Sequence, residues 1–476
     1  MVMGELALET EVLVIGTGPG GYSAAFRAAD LGLDVTLVDP AHRPGGVCLF
    51  RGCIPSKTLL YLAEIIFDAE RSSRMGIRFE KPQIDLEGIR KWKDKVINQL
   101  AEGLVNLAEK RGIQLIKGHA VFEGSNSVRL QDSEVGRIKF RNAIIATGSQ
   151  PIHFPGITPR KGSRIMDSTA ALELLEIPNT LLVLGGGYVG LEIGTVYAAL
   201  GSKVTVVELS DRLLPGADRD LVKPLRRRLD DIFEAIHLNT MVIEMKESKT
   251  GVAVRLKGDV ERTERTFDRV LVGIGRRPNT SALGLEATNI KVDEKGFVLL
   301  VDNQQHTTDG KIFAVGDVAG GIMLAHKAAR EGKVAAEIIA GKPSAFDVRA
   351  IPAVVYTDPQ IAWCGLTEEE ARLSNRKISV QRFPWQASGR ATTMGARDGL
   401  TKIIADPQTH RVLGMGIVGR ETEGLIAEGV LAIEMGALIE DLALTVHAHP
   451  TLSETEMETA EIFLGSATHI LPRKTK

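Results

Sequence analysis

Two stretches of this chain repeat one hydrophobic pattern. Val12-Leu13-Val14-Ile15 and Leu181-Leu182-Val183-Leu184 are short unbroken apolar runs. Each gives way to a glycine cluster, then to a segment of helical character, then to a second apolar run ending in an acid, at 35–39 and at 204–208. A short apolar run bounded by glycine predicts a strand buried on both faces, as in parallel sheets. Each copy therefore predicts a strand, turn, helix, strand unit.

The pattern between and after the copies is less regular. Residues 58–112 predict helix, with charged and apolar residues at helical spacing from 84 to 111. Residues 112–140 turn to short strands with Gly-Ser-Asn turns, predicting a small sheet inserted in the first unit. Buried strands are expected at 142–149, at 270–278 and at 311–318, the last delivering Asp317 beside a glycine. Pro151 and Pro155 mark a boundary. From about Pro352 a third tract alternates helices with strands at 353–356, 400–405 and 412–418, without a nucleotide signature.

The turns have a shared chemistry. Gly16, Gly18 and Gly21 in the first, and Gly185, Gly187 and Gly190 in the second, occupy the first, third and sixth positions. The middle glycine lets backbone approach a pyrophosphate, the last lets helix pack on strand, and the helix N-terminus offers unpaired amides to phosphate. Asp39 and Glu208 each follow the first glycine by 23 positions, where a carboxylate binds a ribose diol. Glu208 would repel a 2′-phosphate, which favours NAD(H) over NADP(H). One glycine triad is weak evidence; two with matching acidic ends predict two dinucleotide sites.

Composition adds limits. The 476 residues carry a net charge of −2 with both signs interspersed, which predicts no nucleic-acid surface. Three cysteines make no disulfide scaffold and fit a reducing compartment, so any disulfide here should be catalytic. Residues 1–11 hold three acidic and no basic residues, against a targeting peptide, and no apolar run approaches the ~20 residues of a membrane span. The expectation is a soluble cytoplasmic protein. No metal-ligand spacing is found.

The remaining chemistry lies at the two ends. Cys48 and Cys53 sit in Gly45-Gly46-Val47-Cys48-Leu49-Phe50-Arg51-Gly52-Cys53-Ile54-Pro55-Ser56-Lys57, just behind the first nucleotide signature. In an ideal helix the two side chains would face apart, so a bond between them requires a distorted helix, which Gly52 permits and Pro55 promotes. On spacing alone the pair reads more readily as two buried apolar thiols than as a working disulfide; the flanking Gly-Gly and Lys57, behind a dinucleotide signature, turn the reading toward redox chemistry. Near the C-terminus, Thr451-x-x-Glu454 reads either as a helix capping box or as a carboxylate orienting His449.

Gly-Gly-x-Cys-x4-Cys-Ile-Pro-Ser-Lys, Ala-Thr-Gly-Ser, Gly-Gly-Gly-Tyr-Val-Gly-Leu-Glu, Ala-Val-Gly-Asp and His-Ala-His-Pro-Thr-Leu-Ser-Glu occur here in order, over the full length. This set resembles the pyridine nucleotide-disulfide oxidoreductase family, and its ending resembles the dihydrolipoyl dehydrogenase branch. The resemblance implies an α/β fold with two Rossmann-like dinucleotide-binding domains and a C-terminal α+β dimerisation domain. It implies an FAD-binding part at 1–150, an NAD-binding domain at 151–280, a central part completing the FAD site at 281–350, and an interface domain at 351–476.

The same resemblance implies site roles. FAD would lie on Gly16, Gly18, Gly21 and Asp39, and NAD on Gly185, Gly187, Gly190 and Glu208. Gly46, Thr147, Gly148 and Gly275 would also meet cofactor, and Asp317 the ribityl or pyrophosphate part of the flavin. Lys57 would stand at the flavin edge paired with Glu192, and Tyr188 would cover the nicotinamide pocket; without the family, Glu192 reads as an exposed helix charge and Tyr188 as a packing aromatic. Cys48 and Cys53 would form the redox disulfide, Cys48 facing substrate and Cys53 the flavin. His449, oriented by Glu454, would take the proton of a dihydrolipoyl thiol, since the thiolate is the nucleophile. His447 would be structural. The resemblance further implies a homodimer whose partner supplies the base, and a lipoyl protein as substrate, from a 2-oxoacid dehydrogenase complex or a glycine cleavage system.

The chain departs from the usual family pattern at Asp39, Val47, Phe50, Arg51 and Val446. Arg51 either tunes the redox couple or faces solvent. Rival readings are an NAD(P)H-dependent reductase of another disulfide, which Glu208 opposes for the glutathione type, a mercuric reductase, which would need a C-terminal cysteine pair, and a non-catalytic flavoprotein sensor or assembly component.

Overall fold

The computed structural model describes residues 7–160 and 162–471. The N-terminal reading at residues 1–6 and the end of the cysteine-free C-terminal tail lie outside the described residues.

The first predicted unit forms as strand β1 (Ala7–Ile15), helix α1 (Pro19–Asp30) and strand β2 (Val35–Asp39). Val12, Leu13 and Val14 are fully buried, as the unbroken apolar run requires; each such side chain contributes about 1.5–3 kcal/mol. Three helices follow: α2 (Gly46–Arg51), α3 (Cys53–Ser72) and α4 (Leu86–Glu109). The sequence predicted helix throughout 58–112, but an irregular stretch separates α3 from α4, and Asp85 caps α4 by accepting from Gly88 N.

Strands β3 (Gln114–Lys117), β4 (His119–Gly124), β5 (Ser127–Gln131) and β6 (Arg137–Ile145) do not make the separate inserted sheet that was expected. They join β1 and β2 in one sheet of order β3-β2-β1-β6-β5-β4. The long strand β6 makes this possible: its whole length pairs in parallel with β1, while its first residues also pair antiparallel with β5. Its last residues take Ile312–Ala314 as a further parallel strand, so the segment after residue 280 returns to the first sheet. The helix Ala325–Ile339 then packs on α1. The approach is close because both faces are small: a Cβ on Gly332 would lie 2.3 Å from Gly20 O.

The second unit is a parallel five-stranded sheet of Ala235–His237, Lys203–Val207, Thr180–Leu184, Arg269–Val272 and Ile165–Met166. An antiparallel sheet of Thr240–Glu247, Val252–Gly258 and Glu264–Phe267 covers one side. Ser149–Pro151 pairs with Arg276–Pro278 where the chain enters and leaves this unit. The third tract is a five-stranded antiparallel sheet from Ala353–Val355 to Ser379–Pro384, backed by helices Thr422–Met435 and Glu454–Leu464.

Candidate active site

The two glycine turns are built alike. Gly16 and Gly185 hold φ of +103° and +108°, and a Cβ on either would strike the carbonyl of a neighbouring strand, Ala146 O at 2.3 Å or Gly273 O at 2.4 Å. A Cβ on Gly21 would fall 1.8 Å from Gly16 O, and one on Gly190 2.3 Å from Gly185 O, so both let helix lie against strand. Gly18 and Gly187 are the N-caps of their helices and face open space, with nothing within 4 Å. That is the cradle a pyrophosphate needs.

The acids at the strand ends brace these turns. Asp39 Oδ2 accepts from Thr17 N and Thr17 Oγ1, both at 2.8 Å, and its Oδ1 from Ala41 N at 2.8 Å. Glu208 Oε2 accepts from Gly186 N at 2.6 Å and Oε1 from Ser210 N at 2.8 Å. Both acids thus fix loop geometry, a duty the sequence did not reveal, and keep acceptor capacity for a diol, since a carboxylate offers about four lone-pair sites.

A cavity of about 690 Å³, a volume suited to a cofactor, opens from the first turn. Gly16, Gly18, Asp39, Gly46, Thr147, Gly148 and Asp317 line it, and so do Cys48, Cys53, Lys57, Tyr188 and Glu192. Gly21 lies beneath the turn. Gly185, Gly187, Gly190 and Glu208 lie at the second turn, outside this cavity, and Gly275, whose carbonyl accepts from Ile152 N at 3.0 Å, lies outside it as well. Gly46, at φ +58°, sets the start of α2 against Gly18: a Cβ there would meet Gly18 Cα at 2.6 Å.

Between the cysteines the helix breaks. Gly52, at φ −144° and ψ −109°, ends α2 and opens α3. Pro55 then stands in the first turn of α3, where no amide is required, so it does not distort a continuous helix as expected. Ser56 Oγ donates to Cys53 O at 3.0 Å. Cys48 and Cys53 line the same cavity and are not bonded to each other. The Cys48 thiol donates to Cys53, which pushes the pKa of Cys48 far up, with burial adding. The same bond lowers Cys53 to about 7 against its burial, helped by the Lys57 ammonium.

Lys57 Nζ lies 2.7 Å from Glu192 Oε2 and 4.5 Å from the ring centre of Tyr356. Glu192 is 3% exposed, and its Oε1 accepts from Tyr356 N at 3.0 Å. The bland reading of Glu192 as an exposed helix charge is thus excluded. Tyr188 opens its helix half-exposed on the cavity wall.

At the far end, His449 Nδ1 lies 2.8 Å from Glu454 Oε1, and Glu454 Oε2 accepts from Thr451 N at 2.7 Å. The orienting role and half of the capping box coexist. The box itself does not form: the helix begins at Glu454 with Ser453 as N-cap, and Thr451 Oγ1 donates to Ala448 O. His447 is held by Glu428 and the Thr445 carbonyl, its side chain 5% exposed. His449 does not line the cysteine cavity among the described residues; its side chain is 73% exposed beside Leu444 and Val446, at 80% and 94%.

Residues 10–332 match the pyridine nucleotide-disulphide oxidoreductase family, and residues 351–460 match the dimerisation domain of the same family. The chain belongs to this family. A dihydrolipoyl dehydrogenase of Vibrio parahaemolyticus is 48% identical over 469 residues, 98% of each chain, and one of Geobacillus stearothermophilus is 43% identical over 474 residues, 99% of this chain and 100% of the other. Among solved structures, the HOCl-induced flavoprotein disulfide reductase RclA from Escherichia coli superposes with a TM-score of 0.84 at 30% identity, covering 95% of this chain and 99% of the other.

As a pyridine nucleotide-disulphide oxidoreductase, the chain carries site features its motifs did not announce. Ser149 Oγ donates to Asp317 Oδ2 at 2.5 Å and accepts from Arg276 Nε at 2.7 Å, fixing the aspartate on the cavity wall. Glu331 accepts from Gly316 N at 2.8 Å and pairs with Lys327 at 2.6 Å, holding the turn before Asp317 from within the core; burial pushes its pKa up despite Lys327. In sequence this acid and base, four apart on a helix, look like an ordinary surface pair.

Two other features resolve open questions. Arg51 is exposed on the cavity rim, without an ion pair among the described residues; the cation acting on both thiols is Lys57. Redox tuning by Arg51 therefore has no structural support. Asp218, Asp220 and Glu368 cluster as metal ligands could, but Lys402 Nζ, 1% exposed, sits among them at 2.6, 2.7 and 2.9 Å.

Proposed function

We propose that this chain is a dihydrolipoyl dehydrogenase, reoxidising lipoyl dithiols by way of Cys48 and Cys53, with NAD as final acceptor. The observation that carries this reading is one cavity that brings Cys48 and Cys53 together with Lys57 and the buried Glu192 paired to it, beside the first glycine turn.

The residues fit the cofactors that the family uses, FAD and NAD. Gly16, Gly18, Gly46, Asp39, Thr147, Gly148 and Asp317 would hold FAD, and Gly185, Gly187, Gly190, Glu208 and Gly275 NAD. When bound, FAD supplies a two-electron acceptor for the thiol pair and NAD carries the electrons away as hydride. We assign the FAD-binding part to 1–150, the NAD-binding domain to 151–280, the part completing the FAD site to 281–350 and the interface domain to 351–476.

The protein's own steps follow from its thiols. In the oxidised enzyme, a substrate thiolate attacks the Cys48 sulfur, the Cys48–Cys53 bond breaks, and Cys53 leaves as thiolate. The second substrate thiol then attacks the mixed disulfide, closes the lipoyl ring and releases Cys48. One substrate proton goes to a histidine base and one ends on Cys48. The pair described above, Cys48 donating to a low-pKa Cys53, has the protonation expected of that product.

The base is assigned to His449 of the partner subunit, oriented by Glu454. Support comes from its exposure, from Leu444 and Val446 open beside it, and from the dimerisation-domain match, which supports a homodimer. We place the protein in the cytoplasm with a lipoyl-bearing protein as partner, from a 2-oxoacid dehydrogenase complex or a glycine cleavage system. Among the described residues no helix is long and apolar enough to cross a membrane.

The test is a steady-state assay of flavin-loaded enzyme with dihydrolipoamide and NAD, set against glutathione disulfide with NADPH. Turnover confined to the second pair would overturn the assignment. Glu208, fixed at the end of its strand, predicts preference for NAD over NADP.

A further inference from the structure

Lys57 borders two cavities. One is the cysteine cavity, and the other is a smaller one of about 200 Å³ that Lys57 lines with Glu64, Tyr356, Arg420 and Glu423. Two side chains hold the ammonium. Glu192 Oε2 lies 2.7 Å from it, and the ring centre of Tyr356 lies 4.5 Å from it. An aromatic face attracts a cation through the negative charge of its π-system, which an aliphatic side chain cannot supply. The amide of Tyr356 also donates to the other oxygen of Glu192 at 3.0 Å. One residue of the third tract therefore touches both members of the pair.

The segment that carries Tyr356 is itself tied down. Asp358 Oδ2, two residues on, accepts from Arg71 Nη1 at 2.6 Å and from Arg228 Nε at 3.1 Å. Thr357 Oγ1 donates to Pro359 O at 2.8 Å within the segment. Arg71 lies in the last turn of α3, the helix that Cys53 opens and that carries Lys57 four residues later. Arg228 lies on Arg219–Ile232 of the second unit. Tyr356 is thus anchored to the same helix whose cation it meets.

We propose that Tyr356 is a positioning residue of the redox site: its ring and its amide hold the Lys57–Glu192 pair at the cysteine cavity, away from Glu64 and Glu423 in the smaller cavity. The proposal rests on the reading of Cys48 and Cys53 as the redox pair. The titratable groups that act on Cys53 or feel its charge are Cys48 on α2, Lys57 on its own helix, Glu192 and Tyr188 on Tyr188–Ala199, Tyr22 on α1, and Tyr356. Lys57 is the one cation among them. It favours the Cys53 thiolate while Glu192 opposes it, so the place of the ammonium decides how much charge the reduced site can carry.

The test is the equilibrium of the Cys48–Cys53 couple with the dihydrolipoamide and lipoamide couple in flavin-loaded enzyme, followed against pH by acid quench and thiol counting. Its pH slope changes where Cys53 ionises, near 7 in the wild type. In Tyr356→Leu this break should move up by about half a pH unit, leaving the reduced form about threefold less favoured above the break and unchanged below it. Tyr356→Phe keeps ring and amide and should match the wild type. Asp358→Asn, which loosens the segment and leaves the ring in place, should move the break the same way by less. An unmoved break in Tyr356→Leu, a shift of equal size at every pH, or a shift in Tyr356→Phe like that in Tyr356→Leu overturns the proposal. A lower melting temperature with an unmoved break means that Tyr356 only packs, and overturns it as well. Should Cys53→Ser retain dihydrolipoamide turnover, the redox reading fails, while the thiol count, which needs no turnover, still decides the role of Tyr356.

Discussion

Glu454 divides its carboxylate between two tasks, one oxygen 2.8 Å from His449 Nδ1 and the other 2.7 Å from Thr451 N. The second contact fixes the carboxylate so that the first can fix the ring. Glu454→Gln retains an acceptor but loses the charge that orients an imidazolium and stabilises it. We expect kcat with dihydrolipoamide to fall by about a hundredfold or more, by analogy with carboxylate-to-amide changes in hydrolytic triads, with little change in melting temperature. Turnover within twofold of wild type would show that Glu454 only shapes the turn.

The reduced thiol pair should titrate unequally. Cys53 ionises as pH rises through about 7, while Cys48 stays protonated far above. In the reduced, flavin-free chain the ultraviolet thiolate absorbance should therefore rise by a single thiolate around neutrality. Cys48→Ala removes the donor that lowers Cys53 most, and the step should move up by at least about one unit. Lys57→Met should move it in the same direction by less. A step that stays at neutral pH in Cys48→Ala would mean the hydrogen bond is not the cause.

Lys402 is a buried ammonium shared by Asp218, Asp220 and Glu368, and it joins the start of helix Arg219–Ile232 to the third tract. Lys402→Met leaves a buried Asp218 without its cation, and the expected loss is about 3–5 kcal/mol in denaturant unfolding. Burial alone would raise the pKa of Asp220, but Lys402 and Arg382 together outweigh it and the net shift is down. A depressed carboxylate stabilises the fold above its unfolded pKa, about 4, and loses that contribution as pH falls through the folded value. The gap between wild type and variant should therefore narrow below about pH 4.

What was legible in the sequence was what neighbours in the chain decide. The glycine turns, the acids closing their strands and the Cys48 to Lys57 stretch are each contained in one short segment, so their spacing carried their geometry. The extension of the first sheet through β6 was not legible, because the strand's partners, β1, β5 and Ile312–Ala314, are far apart in sequence. The same holds for Ser149 with Asp317 and Arg276, and for Lys402 with its three acids. Glu454 shows a different limit: the helix begins at Glu454 itself, so the capping box does not form, yet the second carboxylate oxygen still accepts from Thr451 N.

Glu456 is the least comfortable charge in the fold. It is fully buried, neither oxygen has a partner, and burial pushes its pKa well above the usual carboxylate range, with Glu428 adding. A raised carboxyl makes its fold less stable as pH climbs above the unfolded value, about 4.3, until the folded group ionises. Glu456→Met replaces an unpaired acid with an apolar side chain of similar reach near the buried Cys364. Its melting temperature should exceed that of wild type, by more at pH 8 than at pH 5, and dihydrolipoamide turnover should change little. A gain that stays constant across that range would show that Glu456 does not titrate in this way and that better packing alone accounts for the effect.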